Sequence, residues 1–400
     1  MTRSFLVPMS APDLTARERA AVAQVLETTS LSIGPRVEAF ERAFAARVNV
    51  RHAVAVSSGT AALHLAVIAA GVQENDLVLT TPFSFVASAN AVLYERAIPV
   101  FVDVEESTGN IRANIVAEAT RDLANGGAAA ERWLPPAVRG RHVGRLKAIL
   151  PVHAFGEPAD MEPIVRAARS ADVPVIEDAC EAVGARYNDR PAGSLGDVAA
   201  FAFYPNKQMT TGEGGLLLTN VDAWNTLARS LRNQGRDVHG GWLDHARLGY
   251  NYRLDEMSAA LGLAQLDRLD ELIARRQRVA SWYHERLADV EDVALPARAP
   301  TTTAESRFVF VVRLSRRLVR NDIIEDLAAR GIPSRPYFAP IHQQPFYVER
   351  FGYRDGSFPV CEAWGQSALA LPFSSIMTVD QVDIVCRALT GAIEARVVKC

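Results

Sequence analysis

The sequence predicts an α/β fold: a large domain on a mostly parallel central sheet over residues 1–262, then a smaller α+β domain over residues 263–400. Three observations predict it. Short apolar runs rich in β-branched residues recur along the first half, separated by stretches of helical period. Several of those runs end in small, polar or acidic residues, as strands do when they turn into helices. Past Leu254 the pattern becomes long and helical, then alternates, then becomes helical again. Strands alternating with helices build parallel layers, and a change of pattern marks a second unit.

The elements follow in order. "TARERAAVAQVLET" has the spacing of an amphipathic helix. In "RHAVAVSSGTAALHLAVIAAG", Ala53–Val56 reads as a strand, Ser57–Thr60 as a turn and Ala61–Ala70 as a helix. "DLVLTTP", "IPVFVDV" and "KAILPVHAF" read as buried strands, as do "ADVPVIEDAC", "VAAFAFYP" and "GGLLLTN". Residues 123–144, rich in Gly, Ala and Arg, read as a surface insertion. From Leu254 to about Val290 the chain reads as one long helical stretch. "RFVFVVRL" alternates like a half-buried strand. A helix over Asn321–Arg330, a proline-rich loop and a C-terminal helix over Val379–Arg396 complete the smaller domain. No internal repeat is present.

Composition excludes several classes. With 49% hydrophobic and 22% charged residues over 400 positions, the chain can bury a sizeable core. A net charge of −3 and a pI of about 6.3 give no electrostatic case for nucleic acid or an anionic membrane. Cys180, Cys361, Cys386 and Cys400 are far apart and form no C-x-x-C pair. That spacing points to free thiols in a reducing cytoplasm, with no metal site and no disulfide framework. The apolar stretch Phe5–Met9 is too short for a signal peptide. No apolar run approaches the roughly 20 residues that span a bilayer.

Three stretches carry chemistry. Ser57, Ser58, Gly59 and Thr60 lie where a strand turns into a helix, and N–H groups there with small hydroxyls suit a phosphate. The same residues also serve simply as a helix cap. "VIEDACEA" ends a strand with Glu177 and Asp178, at the sheet edge where α/β proteins bind ligands. A carboxylate there can hold a cofactor's ring nitrogen protonated, or can be a cap alone. In "YPNKQMTTGEGG", Lys207 follows Phe201, Phe203 and Tyr204 and precedes a glycine-rich turn. Apolar and aromatic neighbours favour the neutral amine that a Schiff base needs. The glycines let the backbone pass close to a ligand. His153 in "PVHAF" has two readings, a satisfied buried histidine or a neighbour of the cofactor ring.

Together these elements resemble the aspartate-aminotransferase-type superfamily (fold type I), and within it the DegT/DnrJ/EryC1/StrS branch of sugar aminotransferases. "SSGTAALHLA", "PFSFVASANAV", "PVFVDV", "PVHAFGEPADM", "EDACEAVGA", "GDVAAFAFYPNKQMTTGEGG", "LGYNYRLDEMSAALGLAQL", "GIPSRPYFAPIHQQPFY" and "FPVCEAWGQSALALP" stand in family order over nearly the whole chain.

The resemblance implies a pyridoxal 5′-phosphate enzyme. Lys207 would bind the cofactor aldehyde and move protons. Asp178 would pair with the ring nitrogen, and Phe85 would stack on the ring. Ser58, Gly59 and Thr60 would take the phosphate. Glu181 stands where many members carry Gln or His near the cofactor. Asn251 would reach the phosphate of a neighbouring subunit, which implies a homodimer with shared active sites. Ala202 replaces a serine that contacts phosphate in many members.

The implied reaction transfers an amino group from an amino acid, with L-glutamate the expected donor, to a nucleotide-linked ketosugar. A cyclitol ketone and a non-catalytic regulatory role are the alternatives. Related dehydratases carry histidine in place of the lysine, and Lys207 argues against that branch. Arg232, Arg236, Arg253, Arg335, Tyr337 and His342 are basic or aromatic residues suited to carboxylate and phosphate groups of the substrates. Surface salt bridges and loop packing are the other reading for them.

Overall fold

The computed structural model describes residues 5–237 and 244–397. Its centre is a seven-stranded sheet: β1 (His52–Val56), β2 (Leu77–Thr80), β3 (Ile98–Phe101), β4 (Leu146–Leu150), β5 (Ile176–Asp178), β6 (Val198–Ala202) and β7 (Gly215–Thr219). The order across the sheet is β3-β2-β4-β5-β6-β7-β1, with β4 and β5 joined by parallel bridges at Ile149–Val175 and Val152–Asp178. All strands run the same way except β7, which is antiparallel to both β6 and β1. The reason is local. No helix separates β6 from β7, and parallel neighbours need a crossover of a dozen or more residues, usually helical. The chain returns instead through the turn at residues 203–214, which carries Lys207.

Helices cover both faces of the sheet: α1 (Ala16–Leu26), α2 (Pro35–Val48), α3 (Gly59–Ala69), α4 (Ala87–Tyr94), α5 (Ala113–Asn125), α6 (Met161–Ser170), α7 (Asp222–Arg232) and α8 (Glu256–Leu266). Because side chains alternate along a strand, β1 feeds two cores. Val54 and Val56 join Leu63, Leu65 and Ala66 of α3, while Ala53 and Ala55 join Phe40 and Phe44 of α2. Burial on both faces is why these strands read as unbroken apolar runs.

The helical stretch after Leu254 is two helices, α8 and α9 (Leu269–Leu287), rather than one. The break falls at Asp267 and Arg268. Arg268 turns inward there to pair with Asp13 and Glu18, which are themselves buried. The first half of α9 packs into the large-domain core through Leu269 and Leu272. Its second half packs into another core through Val279, Ala280, Tyr283 and Leu287.

That second core belongs to an antiparallel four-stranded sheet. Its central strands are β8 (Phe310–Leu314) and β9 (Ala368–Leu371), with Val293–Ala294 and Arg335–Pro336 at the edges. Helices α10 (Arg320–Ala329) and α11 (Val379–Val397) cover it. The expected insertion is a short helix at Gly127–Glu131 and a 3₁₀ turn at Pro136–Val138. It is held by buried Leu123 and Leu134, with most of the rest at the surface. No helix among the described residues is long and apolar enough to cross a membrane.

Candidate active site

The carboxyl ends of β1, β2, β4, β5 and β6 and the start of β7 meet at one edge of the sheet. A cavity of about 410 Å³ opens there. Ser58, Gly59, Thr60, Asp178 and Lys207 all line it, although they come from three separate stretches of sequence.

Lys207 is aimed by its turn. The turn closes through Lys207 N–H donating to the Tyr204 carbonyl at 2.9 Å, and Phe203 N–H donating to the Gly214 carbonyl at 3.0 Å. Gln208 anchors it further by donating to the carbonyls of Glu181 (2.7 Å) and Ser306 (2.6 Å). The Lys207 ammonium then lies 3.6 Å from a carboxylate oxygen of Glu181 and 3.9 Å from the centre of the Phe308 ring.

This differs from the surroundings expected from sequence. Phe201 and Phe203 are buried, but they point to the other side of the sheet, against Phe40 and Phe44. Tyr204 alone of the three lines the cavity. The aromatic ring over the ammonium comes from Phe308, and the nearest charge is an acid.

Asp178 and Glu177 are adjacent in β5 and face opposite ways. Asp178 borders the cavity and accepts hydrogen bonds from Ser88 Oγ (2.6 Å) and Cys180 N–H (3.1 Å). Ser88 is steadied by Ser84 at 2.8 Å. Glu177 points into the protein and gathers the N–H groups of Gly193, Leu195 and Gly196 with His153 Nε2. Burial pushes the Glu177 carboxyl up, but the His153 bond and charge and these N–H donors outweigh it and hold the carboxyl low. His153 Nδ1 accepts from Ala159 N–H at 3.0 Å, so both ring nitrogens are satisfied and the ring is buried. It is the satisfied core histidine of the two readings.

Ser58 caps α3, its Oγ accepting from Ala61 N–H at 3.1 Å. The first-turn N–H groups of a helix lack intrahelical partners, which leaves those of Gly59 and Thr60 suited to an anion. Gly59 is required by space: a Cβ there would lie 2.6 Å from Ala202 Cβ and 2.9 Å from Cys180 Sγ. Phe85, 61% exposed, stands at the cavity mouth on the loop before α4.

Glu181 is buried and lines the cavity. One oxygen accepts from Phe155 N–H at 2.8 Å, and the other faces Lys207. Burial pushes its carboxyl up, and the charge of Lys207 draws it part of the way back. The Cys180 thiol is pushed well up by burial and then by the charge of Asp178.

These residues fit pyridoxal phosphate. A helix N-terminus is open to a phosphate, a buried carboxylate faces the cavity for a ring nitrogen, and an amine is held on a stiff turn. Among the described residues no cluster of His, Cys, Asp and Glu could hold a metal ion.

The candidate substrate residues divide. Tyr337 lines the cavity. Arg232 does not: it is buried in an ion pair with Glu41 and donates to the Ala55 carbonyl. His342 does not either. It is buried against Phe358 and bonded to Glu362 at 3.0 Å. Both are corrected to structural residues, basic side chains that the fold has turned inward. Arg236, Arg253 and Arg335 lie outside the cavity lining; Arg253 bonds Asn233 at 3.2 Å and Arg335 bonds the Ser334 carbonyl at 3.1 Å. Asn251 is exposed and does not reach the cavity of its own chain.

Sequence reasoning missed Phe308 and Phe338, which also line the cavity, and Arg276, which holds the Lys207 turn. Phe308 has no local signal. Arg276 had one, because it interrupts the apolar stripe Leu272, Val279, Ala280 and Tyr283 on α9.

Similarity to known proteins gives the class, a pyridoxal phosphate-dependent aminotransferase. Residues 12–390 match the sequence profile of the DegT/DnrJ/EryC1/StrS aminotransferase family, and the chain belongs to that family. It is 39% identical over 386 residues to a GDP-perosamine synthase of Caulobacter vibrioides, covering 96% of this chain and 97% of the relative. It is 33% identical over 390 residues to the GDP-perosamine synthase of Escherichia coli O157:H7, covering 96% and 97%. Among solved structures, S. venezuelae DesV superposes with a TM-score of 0.84 at 33% identity, over 96% of this chain and 98% of that one.

Proposed function

We propose that this aminotransferase moves an amino group from L-glutamate to the keto carbon of a nucleotide-linked ketosugar, yielding an aminosugar. The observation that carries the chemistry is the cavity where Lys207, Asp178 and the N-terminus of α3 converge. The acceptor class is supported by near full-length similarity to two GDP-perosamine synthases.

When bound, pyridoxal phosphate supplies an electron sink for the charge left as a proton leaves the substrate carbon. The chain's residues do the rest. Ser58, Gly59 and Thr60 would hold the phosphate at the start of α3. Asp178, pinned by Ser88 and Cys180, would pair with the ring nitrogen and favour its protonated form. Phe85, at the cavity mouth, would cover the ring. Lys207 would hold the cofactor through its aldehyde, and its Nζ would serve to move protons at the substrate carbon. Glu181 sets the charge beside that amine. Tyr337 orients the acceptor at the cavity wall.

Asn251 would reach the phosphate held by a second copy of the chain. Its exposure and its distance from its own cavity support a homodimer with shared sites. The place of action is the cytoplasm.

The test is incubation with glutamate and a panel of nucleotide-linked ketosugars and free inososes, following 2-oxoglutarate. Release with a nucleotide-linked sugar is expected. Release with free inososes alone would move the acceptor to the cyclitol class.

A further inference from the structure

Arg276 lies in the middle of α9, where the helix leaves the large-domain core and enters the second one. It is 3% exposed. Among the described residues no carboxylate is within ion-pair distance of it, and all its hydrogen bonds go to main-chain carbonyls. Nη1 donates to Phe308 O at 3.1 Å, and Nη2 donates to Asn206 O at 3.2 Å and Lys207 O at 2.5 Å. No other hydrogen bond among the described residues reaches the carbonyls of Asn206 or Lys207.

A cation buried without a carboxylate is costly, and an apolar side chain on this stripe would serve packing better. Burial lowers the guanidinium to about 10, the sign of that cost. What an apolar residue could not do is grip the lysine's own peptide and the peptide of the ring above the ammonium together.

We propose that Arg276 is a positioning residue for the amino-transfer site: its planar fork ties the Asn206–Lys207 main chain to Phe308, and so fixes the lysine amine between the Phe308 ring and Glu181. This rests on the reading of Lys207 as the cofactor-binding lysine. The geometry favours arginine over lysine, because two nitrogens held in one plane reach three carbonyls on two separate segments. Loosening the tie lets the amine drift from the Phe308 face and the Glu181 carboxylate. Both stabilise a positive charge on that nitrogen, so its protonated form becomes less favoured.

The experiment compares R276M, R276Q and R276K with wild type, all as cofactor-loaded full-length protein. Borohydride reduction and peptide mapping locate the cofactor bond, which is unambiguous because the chain has only Lys147, Lys207 and Lys399. The pH titration of the visible band, kcat and KM for the donor half-reaction, and the thermal midpoint are then measured.

In R276M and R276Q the bond should remain on Lys207, and the titration midpoint should fall by roughly one unit. The kcat should drop about 100-fold, the scale of a misplaced reacting group, with KM changed only a few-fold. R276K should recover part of both effects. If R276M and R276Q do not fold, R276K decides alone, with an intermediate shift expected. Lower thermal stability with titration and kcat at wild-type values in the variants that fold would overturn the proposal and leave a structural role. A cofactor bond on Lys147 or Lys399 in wild type would instead overturn the reading of Lys207, and the proposal with it.

Discussion

The Lys207 ammonium lies 3.6 Å from the Glu181 carboxylate, and the two side chains are only 12% and 6% exposed. In so dry a place a charge pair acts strongly. The acid comes from the exit loop of β5, three residues past Asp178, on the strand beside the one that leads to Lys207.

E181Q keeps the size of the side chain and an acceptor for Phe155 N–H, and replaces the charged oxygen that faces Lys207 with a neutral amide NH2. A negative neighbour favours the protonated nitrogen, so its loss should lower the midpoint of the lysine–cofactor band by roughly one to two units. Absorbance against pH measures it. An unmoved midpoint would disconnect Glu181 from the lysine.

K207A should fold, as judged by circular dichroism, yet lose the visible covalent band and transamination. D178N removes the charge paired with the ring nitrogen and keeps one of the two oxygens that accept from Ser88 Oγ and Cys180 N–H. Turnover should fall by about 3 kcal/mol in barrier, the scale seen when one preorganised electrostatic group is removed. A D178N enzyme within a few-fold of wild type would remove that residue from its assigned role.

The shared-site reading predicts complementation. K207A and N251A homodimers should each be impaired. After subunit exchange, a mixed dimer holds one site with both lesions and one with neither, so activity should partly return. Proven exchange without recovery, or a fully active monomer, would defeat the two-chain site.

Glu18 gives a pH dependence away from the cavity. Burial pushes its carboxyl up, but hydrogen bonds from Thr15 and Arg268 overcome this and hold it at about 2 against an ordinary 4.5. A depressed carboxyl contributes stability that is complete above the unfolded value. That stability is lost as pH falls from about 4.5 towards 2. The shift corresponds to roughly 3 kcal/mol at most. E18Q should therefore be less stable at neutral pH and should lose much of the slope in that window. Denaturant titrations at a series of pH values check it, and an unchanged slope would count against this pairing.

Local sequence was enough for the alternation of strands and helices, the cap at Ser58, the glycine-rich turn around Lys207 and the order of the family segments. Each depends on neighbours within a few residues, through backbone sterics, hydrophobic period and turn chemistry. The antiparallel course of β7 was also latent there, since no crossover helix precedes it. Tertiary structure decided which side of the sheet each group faces and what it meets. Glu177 and Asp178 are adjacent, yet the two-residue period of a strand sends one into a nest of N–H groups and the other to the cavity. Phe201 and Phe203 look like companions of Lys207, but the same period turns them to α2, and Phe308 takes their place from a hundred residues away. Arg232 and His342 carry the chemistry of substrate binders. Burial against Glu41 and Glu362 gives them partners inside the fold, because a polar group removed from water must be satisfied where it lies.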